Sequence, residues 1–205
     1  MAQTSPKGNT GASGSTIPSE RKVNTVRIRD IPSGKTSDAL KRDIEAVIQG
    51  QDVDPKIHIE HHSFVPQDES SICATVSFHT VLPRLELLAL LSEADSCKAY
   101  DIDDHFLDIT PLGQDPEGVD IDVIAVSDLA SHPLGSFKSP SRDKVWLRDF
   151  LPKDIPRIRV LLYGYSSPLQ NSRSKDSIED LGNRLLEDLK AFRGDEVEVR
   201  LSLCT

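Results

Sequence analysis

Cysteine is scarce and poorly spaced for any framework. Cys73, Cys97 and Cys204 are the only three in 205 residues, an odd and scattered set that gives neither a disulfide scaffold nor a metal-ligand spacing. It fits a reducing compartment, and an intracellular, cytoplasmic protein is the expectation. Long apolar runs are missing too. The longest, Leu85 to Leu91, is interrupted by Glu86 and falls far short of the roughly 20 residues that span a bilayer. No apolar segment near the N-terminus suggests a secretory signal. Positive charge is in deficit: 24 Lys and Arg against 33 Asp and Glu leave a net charge of −9. That balance disfavours binding a phosphate backbone, which needs a basic surplus. No internal repeat is present.

What remains is 37% hydrophobic and 28% charged, the composition of a globular protein carrying some unstructured polar sequence. Residues 1–22, rich in Ser, Gly, Thr and Pro, read as a disordered tail. Val26, Ile28 and, after Asp30, Ile31 alternate as a strand closed by Pro32. Ser37 caps a helix whose Leu40, Ile44, Val47 and Ile48 share a face. Lys56 to Val65 and Ile72 to Phe78 alternate as strands. Pro83 opens a second helix with Leu85, Leu88 and Leu91 facing the core, and Tyr100 to Ile109 supplies a fourth strand. This βαββαβ order over residues 23–113 predicts a ferredoxin-like module.

RNA-recognition modules share that order and bind by stacking bases on aromatic side chains. Here the stacking positions hold Cys73, Thr75 and Arg27, so the platform is missing. Arg27 and Arg29 read as solvated charges on an exposed sheet face. A protein partner is therefore expected over a nucleic acid. His58, Glu60 and His62, at i, i+2 and i+4 of one strand, offer metal-binding side chains. With no loop to complete the ligand set, polar surface is the expectation, and no metal or cofactor is assigned.

Residues 114–205 follow a different grammar. Gln114 to Asp120 reads as a linker, Asp122 to Val126 and Ile158 to Tyr163 as buried parallel strands, and Ser127 to Ser141 as a loop. Trp146, Leu147, Phe150 and Leu151 form a short helix stopped by Pro152. Ser177 with Asp180 makes a capping-box start to a helix that buries Ile178, Leu181, Leu185, Leu189 and Phe192. Val197 to Leu203 is a further strand. Strand alternating with helix predicts an α/β layer with a parallel sheet.

VDIDVIAVSDLASHPLGSF (Val119 to Phe137), VWLRDFLPKDIPRIRVLLYGY (Val145 to Tyr165) and the lead-in IDDHFLDITPLGQ (Ile102 to Gln114) carry a resemblance. They are similar to fungal proteins of the serine active-site-containing, lipase-like α/β-hydrolase family, often found with NACHT or ankyrin regions. The resemblance implies a partial α/β-hydrolase fold, an esterase ancestry, and association with endoplasmic reticulum or mitochondrial membrane as an alternative location. It places the oxyanion loop at Ser127, Asp128, Leu129, Ala130, Ser131 and His132. Asp128, Ala130 and Ser131 stand where that family has glycines, and a carboxylate at Asp128 would repel a developing oxyanion. The family's nucleophile elbow, G-x-S-x-G, belongs after the strand that follows the Ser177 helix. No G-x-S-x-G occurs in the chain, and Ser166 and Ser167 read as a turn before Pro168. The expectation is a truncated or degenerate hydrolase relative without a catalytic residue. The alternative is a small protein-interaction module.

Overall fold

The structure, a computed structural model, describes residues 22–49, 57–128, 131–139, 144–166, 177–194 and 200–204. The expected tail lies outside these residues, apart from Lys22.

Two four-stranded sheets organise the chain. The first contains β1 (Lys22–Pro32), β2 (His58–Pro66), β3 (Ser71–Thr80) and β4 (Asp101–Asp103), in the order β2-β3-β1-β4 and antiparallel throughout. Helices α1 (Ser37–Gln49) and α2 (Arg84–Glu93) cover one face. Val26, Ile28 and Ile31 of β1 meet Ala74, Val76 and Phe78 of β3, Leu40 and Ile44 of α1, and Leu87 and Leu91 of α2 in one core. Asp30 takes a positive φ of 59° and bulges the strand. The bulge is why Ile31 and Ile28, three apart, both point inward.

Helix α2 is rotated from its expected register. Leu87 and Leu91 are fully buried, whereas Leu85 is 74% exposed. Leucines at 85, 87, 88, 90 and 91 leave two or three faces apolar, and only the packing against β1 and β3 selects one.

The expected fourth strand, Tyr100 to Ile109, is two strands in two sheets. β4 ends at Asp103, and β5 (Asp108–Gln114) pairs antiparallel with β7 (Ile158–Gly164) of the second sheet. The break is chemical. The Asp103 carboxylate accepts the backbone N–H groups of His105 and Phe106, at 2.8 and 3.0 Å, which turns the chain out of the sheet. Phe106 and Asp108 then take positive φ values.

The second sheet runs β5-β7-β6-β8, with β6 (Ile121–Val126), β7 and β8 (Arg200–Cys204) parallel. The sheet is therefore mixed rather than parallel, because β5 arrives antiparallel from the turn. Of the expected linker, Gln114 belongs to β5, and residues 115–120 connect β5 to β6 of this one sheet. Arg157 holds that connection, donating to both carboxylate oxygens of Asp120 and to the Glu117 carbonyl.

Helices α3 (Trp146–Asp149) and α4 (Leu151–Asp154) lie on one side of the sheet. α5 (Ile178–Arg193) lies on the other, against Ile124, Leu161 and Tyr163. Pro152 does not stop a helix; it sits in the first turn of α4, where a missing N–H costs nothing. The capping box forms: Asp180 N–H donates to Ser177 Oγ while Asp180 accepts from Ser177 N–H. The expected stripe on α5 is only partly covered. Leu189 is buried, but Ile178 is 83% exposed, because contact with the sheet falls on the C-terminal half of the helix. Leu201 and Leu203 of β8 are exposed as well.

Backbone packing is close where β7 ends. A Cβ on Gly164 would lie 1.8 Å from the Phe106 carbonyl oxygen and 2.8 Å from the Pro133 ring. Only glycine lets the turn after β4 rest on β7. Among the described residues, no helix is long and apolar enough to cross a membrane.

Candidate functional site

Three constellations bear on function: the loop after β6, the polar face of the first sheet, and a histidine cluster at its edge.

β6 and β7 are parallel, and their carboxyl ends are where open α/β sheets carry ligands. Ser127 and Asp128 follow β6; Tyr165 and Ser166 follow β7. Leu129, Ala130 and Ser167 lie outside the described residues. Tyr165 donates its hydroxyl to the Ser127 carbonyl at 2.9 Å and stacks on Tyr163. Burial, with the nearby Asp128 carboxylate, pushes the Tyr165 phenol above its usual range. Ser131 gives its backbone N–H to the Asp128 carbonyl at 3.3 Å and its hydroxyl to the same oxygen at 2.8 Å.

His132 is held at both ring nitrogens. Gly135 N–H donates to Nδ1 at 3.1 Å, and Nε2 lies 2.8 Å from the Asp104 carbonyl. An Nδ1 that accepts requires Nε2 to carry the proton and donate. The hydrogen bonds thus match an Nε2–H imidazole, bridging the loop to the turn after β4, with Phe106 packed edge-on against it.

The polar face of the first sheet is covered. Arg27 is 2% exposed. It donates from Nε to Asp103 at 2.8 Å and from Nη1 to the Leu107 carbonyl at 2.6 Å and Thr110 Oγ1 at 2.7 Å. Its Nη2 lies 2.8 Å from the same Asp103 oxygen, and the guanidinium sits over the Phe106 ring. The expectation of a solvated Arg27 is overturned because β5 and its preceding turn lie over that face. Arg29, two residues along, is half-buried and pairs with Asp101.

From α3, Arg148 reaches across to Thr75 Oγ1 at 3.3 Å and Ser77 Oγ at 3.0 Å, while Asp149 holds its other edge. Cys73, Thr75 and Ser77 are fully buried. Burial pushes the Cys73 thiol up to about 12, which removes it as a nucleophile. A second buried carboxylate, Asp122, receives Arg159 through Nε and Nη2, with Arg193 alongside. It ties β6, β7 and α5 together.

At the outer edge, β2 bulges between Ile59 and His61. An extra residue on one strand reverses the alternation beyond it. His58 stands opposite His79, but His62 stands opposite the core residue Val76 and meets Ser37 Oγ of α1 at 3.0 Å. The expected trio His58, Glu60 and His62 is therefore split across two faces. His79 of β3, which the sequence pattern did not single out, takes the third place. The donor atoms of His58, Glu60 and His79 lie within 4.8 Å of one another.

Comparison with protein-family models, with curated proteins and with solved structures finds no match.

Proposed function

We propose that this chain is a non-hydrolytic relative of the serine-esterase type of α/β-hydrolase, with a ferredoxin-like βαββαβ layer docked on its sheet through hydrogen bonds from the buried Arg27 and Arg148. The order β2-β3-β1-β4 supports the ferredoxin-like reading. Three parallel strands, with α3 and α5 on opposite faces, support the hydrolase-like one.

One observation carries the functional conclusion: of the loop groups an esterase would turn toward its substrate, the described Ser131 and His132 are spent within the chain. An oxyanion hole needs N–H donors aimed at an empty position, yet Ser131 N–H is bonded to Asp128. A general base needs a free imidazole nitrogen, yet both nitrogens of His132 are engaged. The face on which a related RNA-binding module stacks bases is filled by Arg148 and β5.

The test is incubation of the full chain with a fluorophosphonate probe and with p-nitrophenyl butyrate. Labelling and ester turnover no greater than in a heat-unfolded control are expected. Labelling of any serine that requires the folded protein overturns the reading.

A further inference from the structure

We infer that His58, Glu60 and His79 form a binding site for a borderline divalent cation, with Zn2+ as the representative ion. The argument begins with the bulge in β2. It places Glu60 beside His58 on the polar face, while the antiparallel register sets His79 directly across from His58. Three side chains from two adjacent strands thus converge without any loop.

Their geometry is near that of a metal site. Zn2+ bound to nitrogen and oxygen at 2.0–2.2 Å in a tetrahedron requires donors about 3.3–3.5 Å apart. Glu60 Oε2 lies 4.0 Å from His58 Nε2 and 3.8 Å from His79 Nδ1. The two imidazole rings are tilted by 31° with centroids 5.4 Å apart. Closing the Glu60 contacts takes roughly half an ångström each, within the reach of small torsions in side chains that are a quarter to a half exposed.

The second carboxylate oxygen is held separately. Lys144 Nζ, from the segment before α3, lies 3.5 Å from Glu60 Oε1. The ammonium therefore fixes the carboxylate with Oε2 toward the imidazoles, the kind of outer contact that orients a ligating group. Two imidazoles and one carboxylate select Zn2+, Cu2+ or Ni2+ over Ca2+ and Mg2+, which require oxygen ligands. Exposure of His58 leaves a fourth position for water or an exchangeable ligand. A bound ion would cross-link edge strand β2 to β3.

The experiment titrates the full chain, freed of metal by chelator dialysis, with Zn2+ by calorimetry, and repeats the titration with Co2+ while recording its visible absorption. One saturable ion per chain is expected, with a tetrahedral Co2+ spectrum. His58→Gln and His79→Gln should each weaken binding about tenfold or more, with far-UV circular dichroism unchanged. His105→Gln, exposed and outside the cluster, should bind as the parent does. Absence of saturable Zn2+ binding overturns the inference. So does binding that survives both His58→Gln and His79→Gln undiminished.

Discussion

Replacing Arg27 by alanine tests how the two sheets are held together. The guanidinium is buried, and its removal leaves the Asp103 oxygen that receives two of its nitrogens with Arg29 Nε 3.9 Å away, and strands the Leu107 carbonyl and Thr110 Oγ1. Breaking one side of a buried ion pair costs about 3–5 kcal/mol, because the remaining charge has lost its partner. Asp103 is 15% exposed and keeps Arg29 on the same oxygen and two backbone donors, His105 N–H and Phe106 N–H, on the other, which places the loss toward the lower end of that range. With an m-value of about 2 kcal/mol/M, the urea midpoint should fall by roughly 1.5–2 M. Arg27→Lys keeps the charge but cannot reach Asp103, Leu107 and Thr110 together, and should lose about half as much. Trp146, the single tryptophan, reports on the second layer by fluorescence, while far-UV circular dichroism reports on both. In the parent the two transitions should coincide; in Arg27→Ala they should separate as the layers uncouple. A midpoint shift below about 0.3 M, which at that slope is under 1 kcal/mol, would refute the assignment of Arg27 as a clamp.

Gly164→Ala drives a methyl group into the Phe106 carbonyl, a backbone atom that cannot swing aside. A loss of about 3 kcal/mol, the upper end for overpacking, should appear as a fall in Tm of roughly 6–12 °C, and an unchanged melting curve would contradict the close approach. Asp68 accepts the hydroxyl and backbone N–H groups of Ser71 and Ser70 in the β2–β3 hairpin, with the Ser71 hydroxyl foremost, and these bonds hold its carboxyl down at about 2. A depressed folded-state value stabilises the fold fully above the unfolded value of about 3.9 and loses that contribution as pH falls toward 2; NMR titration should show Asp68 still ionised at pH 3, and Asp68→Asn should flatten the acid limb of stability.

Much of the fold is legible in local pattern. The alternation of Val26, Ile28 and Ile31 marks β1, though not the bulge at Asp30, and Ser177 with Asp180 marks the start of α5. The apolar runs ending at Val126 and Tyr163 mark β6 and β7. What the pattern cannot carry is decided by side chains acting over distance or against the backbone. The division of residues 100–109 depends on one carboxylate bonding to two N–H groups, which leaves no periodic trace. Burial of Arg27 depends on Thr110 and Leu107, some eighty positions away. The histidine cluster depends on one extra residue in β2, which moves His62 to the helix side and leaves His79 opposite His58. The segment from Ser127 to His132 is visible in sequence as a departure from glycine. That Ser131 and His132 are bonded within the chain is visible only in three dimensions.

Between β4 and β5 run only four residues, Asp104 to Leu107, a tether whose full extension is about 14 Å. Over that length each sheet meets the other at an effective concentration no free partner could match. Association entropy, which ordinarily demands a broad apolar interface, is largely met by the covalent link. An interface rich in arginine, aspartate, threonine and serine is therefore sufficient. The same interface offered in trans, with the chain divided between Asp104 and Leu107, would have little to hold it.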